Sequence, residues 1–330
     1  MGTLIAGRFV LQERIGGGGM GSVWLAWDGK QRRWVAAKLL SHTNATMVLR
    51  FVREQSLRIV HPHVVAPTGW AADDDRVVLS MELVRGGSLQ TLFGDHGALP
   101  ESYVAVLLDQ LLDALEAIHA ANVVHRDIKP ANLLLEPTGT GRPVLRVSDF
   151  GVAAVVDEPR LTHTSMSIGT AGYMAPEQLH GAEPDPRQDL YAVGVIGRQI
   201  LTGSPTRSIP DKWPSVLWPL LMRLSDPDVS RRPATAADAR RELQALRAVP
   251  TDAPWQDLPD SPEVFEQVRD PATLPHPSEL VSPSVEPAAL PRPAGPDGTA
   301  GRGRRVLIAV MATSFVLAAI AVGIILVILL

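Results

Sequence analysis

The chain has 330 residues, which is enough for one large or two medium domains. Hydrophobic residues make up 45% and charged residues 20%, a balance that excludes a wholly disordered protein. A net charge of −4 argues against binding nucleic acid through a basic surface, and the lack of cysteine excludes disulfides, zinc–thiolate sites and thiol nucleophiles.

The first motif along the chain is a run of glycines between two strand-like stretches. Residues 15–23 read I-G-G-G-G-M-G-S-V, which is the pattern G-x-G-x-x-G-x-V. Glycines let the backbone approach a triphosphate closely and direct its N–H groups at the phosphate oxygens. A dinucleotide-binding fold would continue into a helix, whereas Val23–Trp27 continues as a strand. This context disfavours the dinucleotide alternative.

A lysine then ends the apolar stretch Val35–Lys38. Its ammonium group can reach back to the phosphates, and a charge that is partly buried needs a partner. The best candidate for that partner is Glu54, in the predicted helical stretch Thr46–Ile59. The alternative for Glu54 is an ordinary place on the surface.

The string His125–Asn132 reads H-R-D-I-K-P-A-N and carries three chemically useful side chains. Asp127 can accept a proton from a hydroxyl, Lys129 can steady a transferred phosphoryl group, and Asn132 can ligate magnesium. An amphipathic helix is predicted before this string, with a core face formed by Val104, Leu107, Leu108, Leu111, Leu112, Leu115 and Ile118.

A second carboxylate follows in Ser148–Gly151, which reads S-D-F-G. Asp149 adds a hard oxygen ligand of the kind that Mg²⁺ prefers, and Gly151 permits a sharp turn of the backbone. Any one of these motifs could arise by chance, but four in this order do not.

Together these motifs resemble the eukaryotic-like (Hanks-type) Ser/Thr protein kinases, in particular the membrane-anchored bacterial ones, over about Phe9–Leu246. The resemblance implies an α+β, bilobal protein-kinase fold, with a small β-rich N-lobe to about Met81 and a mainly helical C-lobe. It also implies ATP with Mg²⁺, or Mn²⁺ in its place, as the cofactors.

The resemblance further implies a set of site residues. Catalysis would fall to Asp127, Lys129 and Lys38, and the metal to Asn132 and Asp149. ATP would be bound by Ile15, Gly16, Gly18, Gly21, Val23, Lys38 and Glu54, and by the hinge through Glu82 and Val84.

The segment after Asp149 is expected to regulate the site. By resemblance, Thr162 and Thr164 lie in an autophosphorylated activation loop, and Arg126 is placed to bind their phosphates through charge-assisted hydrogen bonds. The alternative is that both threonines are simply polar loop residues. Thr170 would dock the substrate and, with Lys129, favours Ser or Thr over Tyr as the acceptor.

Three further residues have structural roles by the same resemblance. Glu177 should form a salt bridge with Arg232. Asp189 should brace the segment His125–Asn132, called here the catalytic loop. Family members usually carry a longer insertion where this chain has residues 201–231, so the choice of protein substrate stays open.

Residues 250–305 differ in composition from the predicted kinase domain, residues 1–249. Between residues 250 and 300 lie 12 of the 28 prolines and 9 acidic residues, with Arg269 and Arg292 as the only bases. Such a segment cannot bury enough apolar surface to offset its ordering entropy, so we expect a largely disordered linker. Within it, Glu263–Val268 could instead form a transient helix or a docking peptide.

The final 25 residues, Val306–Leu330, contain no charge and no proline. A helix of that length would be about 37 Å long and could cross a hydrocarbon core of about 30 Å. Arg302, Arg304 and Arg305 precede it and place that side in the cytoplasm. The sequence therefore predicts a single-pass, C-terminal anchor in the cell membrane.

The leading hypothesis is an active, membrane-anchored Ser/Thr protein kinase. Its expected partners are protein substrates, the lipid bilayer and, as a further option, a second kinase copy in a homodimer, with no nucleic acid. The rival hypotheses are a membrane-tethered, nucleotide-binding pseudokinase scaffold and a kinase that acts on a small molecule.

Overall fold

The structure, a computed structural model, describes residues 3–18, 21–41, 59–73, 76–149, 154–155, 170–251, 261–270 and 273–274. All of them belong to one compact unit, Met1–Ser282. Most of the predicted helix 46–59, most of the linker and the candidate membrane span lie outside these residues. Within the described ranges, no helix is both long and apolar enough to cross a membrane.

The N-terminal part is a six-stranded antiparallel sheet with the strand order β1-β2-β3-β4-β6-β5. Its strands are β1 Thr3–Ile5, β2 Phe9–Gly18, β3 Gly21–Asp28, β4 Arg33–Ser41, β5 Pro67–Asp73 and β6 Arg76–Met81. In β4, the buried side chains of Val35 and Ala37 belong to a small core that also contains Phe9. Because side chains alternate along a strand, Lys38 lies on the opposite face from these two.

The C-terminal part is mainly helical. Its helices are α1 Leu89–His96, α2 Glu101–Ala120, α3 Pro176–Leu179, α4 Pro186–Thr202, α5 Trp218–Leu224 and α6 Ala236–Ala245. Two short antiparallel ladders accompany them: β7 Val123–Val124 pairs with β10 Ala154–Val155, and β8 Leu133–Leu135 pairs with β9 Leu145–Val147. The predicted β-rich N-lobe and mainly helical C-lobe are confirmed.

Helix α2 lies at the centre of the C-lobe core. All seven apolar positions that the sequence pattern assigned to its core face are buried. It packs against α4 and α6, and Arg240 of α6 donates to Asp109 of α2 at 2.9 Å. This arrangement leaves the end of α2 directly before β7 and the catalytic loop.

Helix α4 is delimited by its sequence at both ends. Asp185 caps the N-terminus by accepting a hydrogen bond from the Arg187 N–H at 2.8 Å, and Pro186 occupies the first helical position. Gly203 ends the helix with a φ of +70°, a conformation that glycine adopts without cost.

Two glycines let α4 and α5 approach closely. A Cβ atom at Gly194 would lie 2.6 Å from the Ser225 nitrogen and 2.8 Å from the Leu221 oxygen. At Gly197 the nearest atom would be a side-chain methyl carbon of Leu221, at 2.4 Å. The contact at Gly194 is with backbone atoms, which cannot move aside as a side chain can.

Part of the expected linker, Ser261–Asp270, lies within the described residues. Ser261–Asp270 packs against the C-lobe, and Val264 is only 2% exposed within the main hydrophobic core. Val264 also exchanges two backbone hydrogen bonds with Gly139. The segment's average composition is that of a linker, but one apolar side chain with a complementary socket is enough to order it locally. These residues include Glu263–Val268, the stretch for which the sequence left a docking peptide open as an alternative.

We predict that Gly194→Ala destabilises the protein by about 2 kcal/mol, because overpacking against backbone outweighs the roughly 1 kcal/mol that alanine gains over glycine in a helix. Urea denaturation of the purified chain measures this. Gly94→Ala in α1 is the matched control, since its Cβ would meet nothing within 4 Å. That variant should be neutral or slightly stabilised, and equal stabilities of the two variants would contradict the packing argument.

Candidate active site

The loop between β7 and β8 brings three of the predicted site residues together. Lys129 Nζ lies 2.7 Å and 3.0 Å from the two carboxylate oxygens of Asp127. Asn132 Nδ2 donates to the Asp127 backbone oxygen at 2.8 Å and to its Oδ2 at 3.0 Å. The carboxylate of Asp127 is therefore held in a defined orientation by one cation and one amide.

A carboxylate beneath this loop holds its backbone. Asp189, on α4 and 1% exposed, accepts hydrogen bonds from the N–H groups of His125 at 2.9 Å and Arg126 at 2.8 Å. His119 Nε2, near the end of α2, lies 2.8 Å from the same carboxylate. Arg126 has a φ of +65°, a strained value for a non-glycine residue that the two bonds to Asp189 help to stabilise.

The surroundings of Asp189 determine its charge. Burial acts to raise its pKa, but the hydrogen bond and charge of His119, the charge of His125 and the Arg126 N–H together lower the pKa below the usual aspartate value. Asp189 is thus an anion at neutral pH, and its charge is balanced by polar groups rather than by water.

Asp149 follows β9 with only Ser148 between them, and Ser148 links it to the catalytic loop. The Ser148 N–H and the Ser148 hydroxyl both donate to the backbone oxygen of Asn132, at 2.9 Å and 3.0 Å. His125 Nε2 lies 3.1 Å from the backbone oxygen of Ser148. Asp149 has a φ of +66°. These bonds fix the start of the second carboxylate segment relative to Asp127.

Lys38 of β4 forms an ion pair with Asp149. The lysine is 5% exposed and is paired in register with Val23 of β3 and Leu79 of β6. Burial acts to raise the pKa of Asp149, but the charge and hydrogen bond of Lys38 lower the pKa below its usual value. The pair therefore joins the N-lobe sheet to the C-lobe carboxylate. Glu54, the partner expected for Lys38, lies outside the described residues.

The glycine motif forms the hairpin between β2 and β3. Gly16 pairs with Val23, and Gly18 pairs with Gly21. Because Val23 is also the neighbour of Lys38 in β4, the hairpin leads to the lysine that would orient phosphates. Ile15 is the residue of β2 directly before these glycines.

The predicted hinge follows the end of β6 at Met81. Val84 is 7% exposed, whereas the Glu82 side chain forms an ion pair with Arg146 of β9. Arg146 also contacts Glu136, at 3.1 Å. With its side chain engaged in this way, Glu82 would contribute to an adenine site through its backbone.

The residues present fit a complex of ATP with a divalent metal ion. Asn132 uses its amide nitrogen to bind Asp127, and its side-chain oxygen remains a hard donor of the same kind as the Asp149 carboxylate. In the described part of the chain, no three His, Asp or Glu side chains converge on one point.

Comparison with known proteins agrees with this geometry. A model of the protein kinase domain matches residues 9–213. The chain belongs to the protein kinase family. It is 35% identical over 268 residues to the serine/threonine-protein kinase PkaA of Streptomyces coelicolor, an alignment that covers 76% of this chain and 48% of PkaA.

Two more relatives extend this similarity. The kinase is 37% identical over 299 residues to PkaB of the same organism. That alignment covers 79% of this chain and 69% of PkaB. It is 34% identical over 279 residues to pkn3 of Myxococcus xanthus. That alignment covers 74% of this chain and 51% of pkn3. The chain spans about half the length of PkaA and pkn3.

In this kinase, the segment expected to dock substrate is anchored to the C-lobe. Thr170 begins a 3₁₀ turn, Thr170–Tyr173, and the Tyr173 hydroxyl donates to Gln199 of α4 at 2.7 Å. The Glu177 carboxylate accepts two hydrogen bonds from the Arg232 guanidinium, at 2.6 Å and 2.8 Å, and the Arg232 side chain is fully buried. Thr162 and Thr164 lie outside the described residues.

Two supporting residues of the site carried no usable signal in the sequence. Gln178 follows Glu177 and donates from Nε2 to the Arg126 oxygen at 2.9 Å, which links α3 to the catalytic loop. His119, near the end of α2, binds the Asp189 carboxylate. Both contacts join residues far apart in the chain, so no local spacing could indicate them.

We predict that Asp189→Asn destabilises the kinase by about 3 kcal/mol at neutral pH, because it removes the charge that balances three donors. With a lowered pKa in the folded state, the Asp189 carboxylate contributes stability that is fully present above about pH 4 and is lost as the pH falls through the folded-state pKa.

The difference in Tm between the parent kinase and Asp189→Asn should therefore be largest near pH 7 and shrink below about pH 4. Thermal unfolding at a series of pH values measures it. Asp211→Asn, at an exposed position, is the control and should follow the parent chain at every pH. A difference in Tm that did not depend on pH would contradict the role of the charge.

Proposed function

We propose that this chain is an active Ser/Thr protein kinase that transfers the γ-phosphoryl group of ATP to Ser and Thr hydroxyls of proteins. The observation that supports this most directly is the convergence of Asp127, Lys129 and Asn132 in one loop, with Asp149 tied to that loop through Ser148. These are the groups that phosphoryl transfer to a hydroxyl requires.

The residues would divide the work as follows. Asp127 orients the acceptor hydroxyl and takes its proton, while Lys129, 2.7 Å away, stabilises charge on the transferred group. Lys38 orients phosphates from the N-lobe side. Bound Mg²⁺ would neutralise phosphate charge, and Asn132 and Asp149 would hold it. Catalysis then rests on positioning and electrostatics rather than on covalent chemistry.

We further propose that the kinase autophosphorylates Thr162 and Thr164 and that Arg126 binds the resulting phosphates. Arg126 is next to Asp127 in the chain, and both its N–H and its carbonyl oxygen are engaged, by Asp189 and Gln178. A phosphate bound by its guanidinium would therefore be fixed relative to the base.

A membrane location is a separate proposal, supported by sequence alone. Val306–Leu330 is an uncharged stretch of 25 residues preceded by three arginines, which favours a single-pass anchor with the kinase domain in the cytoplasm.

The central prediction is that Lys38→Met and Asp127→Asn each lower phosphoryl transfer at least about 100-fold, since each removes a group that acts on the reacting atoms. Incubation of the full chain with labelled ATP and Mg²⁺, or Mn²⁺ in parallel, measures it. Phosphosite mass spectrometry should find Thr162 and Thr164 in the parent chain and not in Lys38→Met.

Lys30→Met, at an exposed position in the turn between β3 and β4, is the matched control and should keep full activity. Equal and negligible transfer by the parent chain and by Lys38→Met would instead favour the pseudokinase scaffold. Phosphorylated sites confined to residues other than Thr162 and Thr164 would reject the proposed activation loop.

For the anchor, we predict that replacing Ala318 and Ala319 together by arginine releases the protein from carbonate-washed membranes. Each arginine at the centre of a span costs about 3 kcal/mol. The control replaces Ala288 and Ala289 in the same way and should leave the protein in the membrane fraction. A parent chain that carbonate extracts would contradict the proposal.

A further inference from the structure

The segment Ser261–Asp270, called here the tail, forms a short strand-like contact with a hairpin tip of the C-lobe. The Val264 N–H donates to the Gly139 oxygen at 2.9 Å, and the Gly139 N–H donates to the Val264 oxygen at 3.1 Å. Gly139 lies in the turn between β8 and β9. The pairing is an isolated antiparallel bridge, so its strength depends on the side chain that it positions.

That side chain fills a socket next to the hinge. Val264 is 2% exposed. A Cβ atom at Gly86 would lie only 2.7 Å from Val264 Cγ1, so the valine packs directly on the glycine. Its neighbour Phe265 is 59% exposed. The side chain of Gln267 lies over Gly87 in the same manner, since a Cβ there would be 2.2 Å from Oε1. Gly86 and Gly87, which follow Arg85, thus leave room for the side chains of the tail.

The tail also bonds the backbone of the hinge region. The Gln267 N–H donates to the Arg85 oxygen at 2.7 Å, and the Val268 N–H approaches the same oxygen at 3.3 Å. On the opposite side, the Gly86 N–H donates to the Leu135 oxygen at 2.9 Å. Arg85 directly follows Val84, so the chain leaving the hinge is held between the tail and strand β8.

Charges reinforce this placement. Arg85 Nη1 lies 2.8 Å from Glu266 and 3.4 Å from Asp270, both in the acidic tail. Arg269 lies 3.9 Å from Glu13 of β2, the strand that leads into the glycine hairpin. All of these groups are partly exposed, so the ion pairs orient the tail and contribute little energy. The apolar anchor contributes most.

We propose that Arg85–Gly87 and the hairpin tip at Gly139 form a docking groove for the tail, and that the docked tail strengthens ATP binding by holding the backbone after the hinge. The contacts described above fall on Arg85, Gly86, Gly87 and Glu13, at the edge of the predicted nucleotide site. The tail therefore supports the nucleotide pocket instead of blocking it.

The test compares two neighbouring variants of the full chain, Val264→Glu and Phe265→Glu. The first places a charge in the socket, and the second places the same charge in solvent. Docking is measured by amide hydrogen exchange at three positions: Gly139, residue 264 and Gln267. Titration with ATP and Mg²⁺ reports on nucleotide affinity without requiring turnover, so the result does not depend on the proposed activity.

Val264→Glu should raise exchange at these amides about tenfold or more, since it removes the apolar anchor. It should also raise the Kd for ATP about fivefold, within the usual range of coupling between two sites. Phe265→Glu should match the parent chain in both. Because coupling is reciprocal, saturating ATP should slow exchange at the three amides in the parent chain.

Because Val264→Glu could fail to fold, a second set of variants tests docking by exchanging the charges of Arg85 and Glu266. Arg85→Glu places like charges beside Glu266 and Asp270 and should weaken docking, and adding Glu266→Arg should restore part of the amide protection and part of the ATP affinity. The proposal is overturned if Val264→Glu behaves like Phe265→Glu, if the tail opens with ATP affinity unchanged, or if ATP binds more tightly once the tail is released.

Discussion

Three N–H groups converge on the carboxylate of Asp189, which helix α4 holds inside the C-lobe. Through the N–H groups of His125 and Arg126 this carboxylate fixes the backbone directly before Asp127. The His125 ring also contacts the backbone oxygen of Ser148, at the start of the Asp149 segment. The two acidic groups of the site therefore share one anchor. Because the Asp189 carboxylate is buried and charged, loss of any one of its hydrogen-bond donors should strongly lower the stability of the fold.

Much of the fold and site could be predicted because the relevant signals are local. The helical spacing of apolar residues identified α2 and its core face, and strand-like runs around the glycines identified the β2–β3 hairpin. The catalytic residues of the loop lie within six positions of one another, from Asp127 to Asn132. A short motif of this kind states both the residue types and their mutual placement.

Other contacts could not be predicted because they depend on how distant segments meet. Nothing near Lys38 indicates that Asp149, 111 positions away, is its partner in this structure. The role of Gln178 follows from the packing of α3 against the catalytic loop. The burial of Val264 could not be derived from composition, which averages over many residues and left a docking peptide at Glu263–Val268 only as an alternative.

The buried position of Val264 changes where the folded domain ends. The matched kinase region ends at residue 213, and the last helix of the C-lobe ends at Ala245, yet the main core includes a side chain from position 264. A fragment cut at residue 249 would expose the apolar walls around Gly86 to solvent. The boundary set by core packing thus lies at least 15 residues beyond the boundary suggested by motifs and composition, and truncation studies of this kinase should begin from the longer fragment.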